Sequence, residues 1–153
     1  MRSSEVERSV GYLVKRVQQG LRRRCDAALK PTGLSMAQYA ALRALDEHPD
    51  ASAAELARLC FVTRQSLQDV LTGLRAAGLI ETGSANQAPP RGRSRSLAIT
   101  RRGSRQLSAA HDAVSAVQAA MLRGVSVSEQ RRVAEILIQC AKNVEAGEGR
   151  GSP

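Results

Sequence analysis

Aromatic residues are nearly missing from the sequence: two Tyr, one Phe and no Trp. Only Tyr12, Tyr39 and Phe61 could stack on a base. This excludes nucleic-acid modules that lay successive bases on aromatic platforms, such as RNA-recognition folds and single-strand binders. Long apolar runs are missing as well. No stretch nears the ~20 consecutive apolar residues that span a bilayer. The N-terminus mixes charges of both signs and has no apolar signal core. A cytoplasmic protein without a membrane partner is expected. Cys25, Cys60 and Cys140 are few, odd in number and widely spaced, which excludes a disulfide framework and a C-x-x-C metal site. Each falls among apolar helical positions, where a free thiol behaves as a small hydrophobe. The histidines, His48 and His111, have no partners at metal-ligand spacing. No Gly-rich phosphate loop follows a strand, and no G-x-S-x-G occurs. No enzyme, no metal and no cofactor are expected. Acid is in deficit too: 14 Asp+Glu face 23 Lys+Arg, a net charge of +9. Such an excess calls for a polyanionic partner, most often nucleic acid.

What remains is helix-forming. The 153 residues are 42% hydrophobic, enough for one domain with a core. Ala and Leu dominate, and both favour helix. Val6, Val10, Leu13, Val17, Leu21 and Cys25 recur at three- and four-residue steps and predict a long amphipathic helix over 5–29. Lys30-Pro31-Thr32-Gly33 stops it. Ser35 with Gln38 is a capping box for a second helix, carrying Tyr39, Leu42 and Leu45 and ending at His48-Pro49. Ser52 with Glu55 opens a short third helix that ends near Cys60. Phe61-Val62 follows as a turn, and Thr63 can cap a fourth helix. Leu67, Val70, Leu71 and Leu74 form its buried face, and Gly78 closes it.

Leu79–Thr82 and Ser94–Thr100 then predict two short strands joined by a Gly/Pro/Asn/Ser loop, a β-ribbon. Thr100 can cap a helix over roughly 101–122. Ser126 with Glu129 is a third capping box, before a last helix bearing Val133, Ile136, Leu137, Cys140 and Val144. The segment 147–153, GEGRGSP, is expected to be a disordered tail.

Two helices joined by a tight turn, then a basic ribbon, make a winged helix-turn-helix pattern. With its apolar face in the core, the fourth helix exposes Thr63, Arg64, Gln65, Ser66, Gln68, Asp69 and Thr72. These side chains suit hydrogen bonds to base edges and phosphates. The ribbon carries Arg91, Arg93 and Arg95, followed by Arg101, Arg102 and Arg105. Residues 91–105 hold six Arg and no acid. They alternate with Leu97 and Ile99, so the charge belongs to a folded element rather than a solvated tail.

The ordered set of segments resembles the MarR family of bacterial transcription regulators. The carriers are GLSMAQYAALRAL (33–45), AAELARLCFVTRQSLQDVLTGLRAAGLI (53–80), RGRSRSLAITRRG (91–103) and VSVSEQRRVAEIL (125–137). The resemblance implies a mostly α fold with a small β-wing: a winged helix-turn-helix with N- and C-terminal dimerisation helices. It implies a single domain over 1–146. Residues 5–30 and 101–146 would dimerise, 35–100 would be the DNA-binding lobe, and 79–100 would be its wing. The function implied is a sequence-specific, ligand-responsive repressor acting as a homodimer on double-stranded, pseudo-palindromic DNA. The family's wing Arg falls on Arg93. Family wings usually carry an acid two residues earlier, where this chain has Arg91, so this wing is expected to favour phosphate. A small-molecule effector is implied between the dimer layer and the reading lobe, with Tyr12, Arg16, Tyr39 and His111 as candidate lining residues. Two other readings stay open. One is an architectural or protein-interaction dimer without strong sequence specificity. The other is a thiol-based redox sensor, in which Arg22, Arg23 and Arg24 activate Cys25.

Overall fold

Side-chain caps set the helix boundaries. In the computed structural model, which describes residues 3–83 and 97–148, Ser35 and Ser52 each accept from the backbone N–H three residues on. Gln38 and Glu55 reach back to the N–H of the cap in turn. Both of these boxes are therefore closed in both directions, as is the third at Ser126 and Glu129, which satisfies amide groups that the helix itself leaves open. Thr63 caps the next helix through Ser66 N–H.

The elements run α1 (Ser3–Val6), α2 (Val10–Leu29), a 3₁₀ turn (Lys30–Thr32), α3 (Met36–Glu47), α4 (Ala53–Leu59), α5 (Arg64–Ala76), β1 (Ile80–Thr82), β2 (Leu97–Ile99), α6 (Arg101–Met121) and α7 (Val127–Glu148). None of the described helices is long and apolar enough to cross a membrane. The chain divides into two compact units, 1–117 and 118–153.

Two boundaries differ from the sequence expectation. The first helix is broken rather than continuous over 5–29. Ser9 is extended, at φ −68° and ψ 144°, and caps α2 by accepting from Tyr12 N–H. Its hydroxyl also donates to the Val6 carbonyl. A short hydroxyl side chain competing for backbone groups interrupts a helix in this way. At the other end α7 runs through Glu148, so Gly147 is helical. The remainder of the expected tail, 149–153, lies outside the described residues, as does the loop and ribbon segment 84–96.

In the first unit the core gathers around α3 and α5. Leu42 and Leu74 are fully buried, with Leu29, Leu67, Leu79 and Ile80 beside them. β1 and β2 pair antiparallel, Ile80 opposite Ile99 and Thr82 opposite Leu97. Leu97 and Ile99 are half-buried and pack on this core, as the alternation requires.

Thr100 fastens the ribbon to α6. Its N–H donates to the Leu79 carbonyl at 3.0 Å. Its hydroxyl donates to the Gly78 carbonyl at 2.7 Å and accepts from Gly103 N–H at 3.0 Å. The first turn of α6 is thereby drawn against β1 so closely that a methyl group on Gly103 would overlap the Leu79 carbonyl oxygen and meet Ile99 Cγ2. Gly73, in the interior of α5, has room for one.

The apolar stripe of α2 divides. Cys25 and Leu29 are buried at its C-terminal end, yet Val10, Leu13 and Val17 remain 41–66% exposed. In the second unit α7 buries nothing. Its stripe of Val133, Ile136, Leu137 and Val144 is 44–68% exposed.

Gly103→Ala should therefore lower stability by about 3 kcal/mol, the upper end for overpacking a tight contact, whereas Gly73→Ala should gain up to about 1 kcal/mol of helix propensity. Urea midpoints of the two variants measure the contrast. Equal midpoints would remove the close approach.

Candidate nucleic-acid interface

The α5 helix presents two different faces. Leu67, Leu71 and Leu74 are buried and Val70 is half-buried. Every residue marked from the sequence on the opposite face is exposed: Thr63, Arg64, Gln65, Ser66, Gln68, Asp69 and Thr72. Their hydrogen bonds separate them further. Thr63 and Ser66 are tied to one another at the cap. The Thr72 hydroxyl donates back to the Gln68 carbonyl at 2.8 Å, the local bond that helical Thr commonly makes. Gln65 donates weakly to Asp69, at 3.4 Å. Arg64 and Gln68 have no side-chain partner among the described residues. They are the pair left free to reach outward, one guanidinium and one amide.

Further exposed cations lie on α6, where Arg101, Arg102 and Arg105 make no ion pair among the described residues. Arg91, Arg93 and Arg95 lie outside the described residues.

Of the four residues marked for an effector pocket, two are hydrogen-bonded to one another. Tyr39 on α3 is buried, and its hydroxyl lies 3.1 Å from His111 Nδ1 on α6. Tyr12 and Arg16 are exposed on α2 and make no side-chain hydrogen bond or ion pair to them. The residue that completes the Tyr39–His111 pair is Arg43. Its Nη1 donates to the Tyr39 hydroxyl at 3.1 Å and reaches His111 Nδ1. Its Nε donates to Glu47 at 2.8 Å. Hydrogen bonds to Tyr39, then Glu47, push the guanidinium pKa above its already high usual value. Sequence reading missed Arg43. The available signal was its i, i+4 spacing from Tyr39 and to Glu47.

Cys25 sits in the core at 1% exposure. Burial, then the nearby Asp26, pushes its thiol pKa up. Arg22, Arg23 and Arg24 are exposed and do not reverse this. A thiol held protonated and out of solvent is a poor nucleophile.

A short helix, a tight turn, a second helix with one free polar face and a ribbon leading into a long helix together define a winged helix-turn-helix DNA-binding protein. Residues 32–88 match the MarR family profile. The HTH-type transcriptional repressor Rv2887 of Mycobacterium tuberculosis is 35% identical over 128 residues, covering 84% of this chain and 90% of the relative. Its crystal structure with salicylic acid superposes at a TM-score of 0.70, with 34% identity over 86% of this chain and 96% of that one. Its complex with DNA superposes at 0.67, with 33% identity, covering 86% and 97% of the two chains. The chain belongs to the MarR family and is a DNA-binding transcriptional regulator.

Cys25→Ser should cost about 1–3 kcal/mol, because a hydroxyl replaces a thiol in an apolar site. DNA affinity of the wild type should not change under mild peroxide. Loss of wild-type binding on oxidation, with resistance in the serine variant, would restore the redox sensor.

Proposed function

We propose that this chain is a homodimeric repressor that holds a pseudo-palindromic duplex site and releases it when a small aromatic acid binds. The observation that carries the reading is the exposed face of α5, on which Arg64 and Gln68 have no intramolecular partner. A free guanidinium in the first turn of a helix can bond a guanine edge or a flanking phosphate, and a free amide can read adenine. Arg91, Arg93 and Arg95 add a basic wing by sequence. The relative crystallised with DNA supports the same use of the fold.

The dimer follows from apolar surface. Val10, Leu13 and Val17 on α2 and Val133, Ile136, Leu137 and Val144 on α7 are uncovered within one chain. Covering them on a second copy removes that area from water. A two-fold axis then pairs two α5 helices with half-sites about one helical turn apart. For the effector, the Tyr39–Arg43–His111 cluster supplies a cation and two hydrogen-bonding rings, which suits a carboxylate on an aromatic ring. The relative bound to salicylic acid supports that ligand class.

A salt titration on specific and random duplexes tests the assignment of roles. Arg64→Ala or Gln68→Ala should cost roughly 1–3 kcal/mol on the specific site and much less on random DNA. Arg93→Ala should weaken both duplexes and flatten the salt dependence by about 0.9 log unit per lost phosphate contact. Salicylate added to the wild type should lower specific binding. If no α5 variant narrows the gap between specific and random DNA, the architectural reading replaces the regulator with a defined operator.

Deleting 125–153 should leave a monomer or an aggregate in sedimentation, since it removes the uncovered apolar stripe of α7. A well-behaved dimer of that truncation would refute the terminal-helix interface.

A further inference from the structure

Two helices of the reading lobe end in the same hydrogen-bonded turn, and they differ at the one residue that the turn constrains. After α5, Gly78 N–H donates to the Arg75 carbonyl at 3.0 Å and Leu79 N–H to the Leu74 carbonyl at 2.9 Å. Gly78 has φ +72°. After α4, Phe61 N–H donates to the Arg58 carbonyl at 3.2 Å and Val62 N–H to the Ala57 carbonyl at 3.0 Å. Here φ is +55°, and the residue is Phe. This left-handed position favours glycine, and a bulky aromatic opposes the backbone it sits on.

Packing does not account for the ring. Phe61 is 92% exposed, more than any other large apolar side chain described. Val62 is half-buried against the core and already provides the apolar contact that such a turn uses. Phe61 stands two residues before Thr63, the cap of α5. Arg58 and Arg64 are exposed on either side of it in the chain. An exposed apolar ring therefore stands between two exposed cations in the chain, at the end of α5 that carries the free Arg64.

We propose that Phe61 is a DNA-contact residue that lays its ring on the deoxyribose wall of the duplex where the first turn of α5 enters the major groove. This rests on α5 being the recognition helix. Cationic neighbours draw in the phosphates, and between phosphates the apolar surface of a DNA strand is its sugars. Every nucleotide has the same sugar, so the contact is independent of sequence. It carries no charge, so it releases no counterion.

The test compares Phe61→Gly, Phe61→Leu and Arg64→Ala with wild type, on specific and random duplexes over a range of salt, with thermal midpoints measured alongside. Phe61→Gly should melt at or above wild type, because glycine suits the turn. It should still bind both duplexes about tenfold more weakly, with the salt slope unchanged. Phe61→Leu should stay within about threefold of wild type, since it keeps apolar surface. Wild-type affinity in Phe61→Gly, as a protein partner on the same ring would give, overturns the proposal. So does a loss that tracks a lowered melting midpoint, or one confined to the specific site. If Arg64→Ala weakens the specific site while Phe61→Gly does not, only the role of Phe61 fails. If neither variant weakens binding, the recognition-helix reading fails with it.

Discussion

The carbonyl group of Leu79 is where the reading lobe is held together. Leu79 N–H closes the turn that ends α5, and its carbonyl accepts from Thr100 N–H at the start of α6. The residue itself is fully buried, next to Ile80, which pairs with Ile99 across the ribbon. Four elements thus share one peptide neighbourhood: α5, β1, β2 and α6. Gly103 is what lets α6 come so near. A shift in that place would be felt by the ribbon, the end of the recognition helix and the first turn of α6 together, because all three bond at this one peptide.

Local hydrogen bonds divide the polar face of α5 into groups that build the helix and groups that remain for a partner. Thr63 and Ser66 satisfy the helix start, and Thr72 satisfies a carbonyl one turn back. What is left over, Arg64 and Gln68, combines a planar fork of donors with a donor–acceptor amide. Those two chemistries discriminate base edges best in the major groove. Composition alone ranks all seven exposed residues equally; the hydrogen bonds separate them.

The caps were the most legible part of the sequence. Ser35/Gln38, Ser52/Glu55 and Ser126/Glu129 each satisfy backbone groups within four residues, so no distant contact can overrule them. The ribbon was legible through alternation, and the core face of α5 through its period. Three things were not. Ser9 breaks the first helix because a hydroxyl that caps α2 also reads as a tolerable helical residue. Arg43 joins Tyr39 to His111, 68 residues away in sequence; its i, i+4 spacing from Tyr39 was a local signal, but the pairing with His111 was not. The stripes of α2 and α7 were visible as apolar, but periodicity reports only that a face avoids water. It does not say whether the covering surface lies in the same chain.

That last distinction has a consequence for the cell rather than for the fold. Helix α7 has 22 residues and no buried side chain of its own, whereas most helical stability in proteins comes from packing an apolar face. Where a second copy supplies its core, folding of this segment and assembly become one equilibrium, governed by mass action. Paired half-sites multiply the effect, since a lone reading lobe forfeits the effective concentration that tethering gives its twin. The number of molecules per cell then becomes an input in its own right. In the homodimer proposed above, halving it would deplete the paired form more than proportionally, and dilution during growth would release a promoter without any ligand at all.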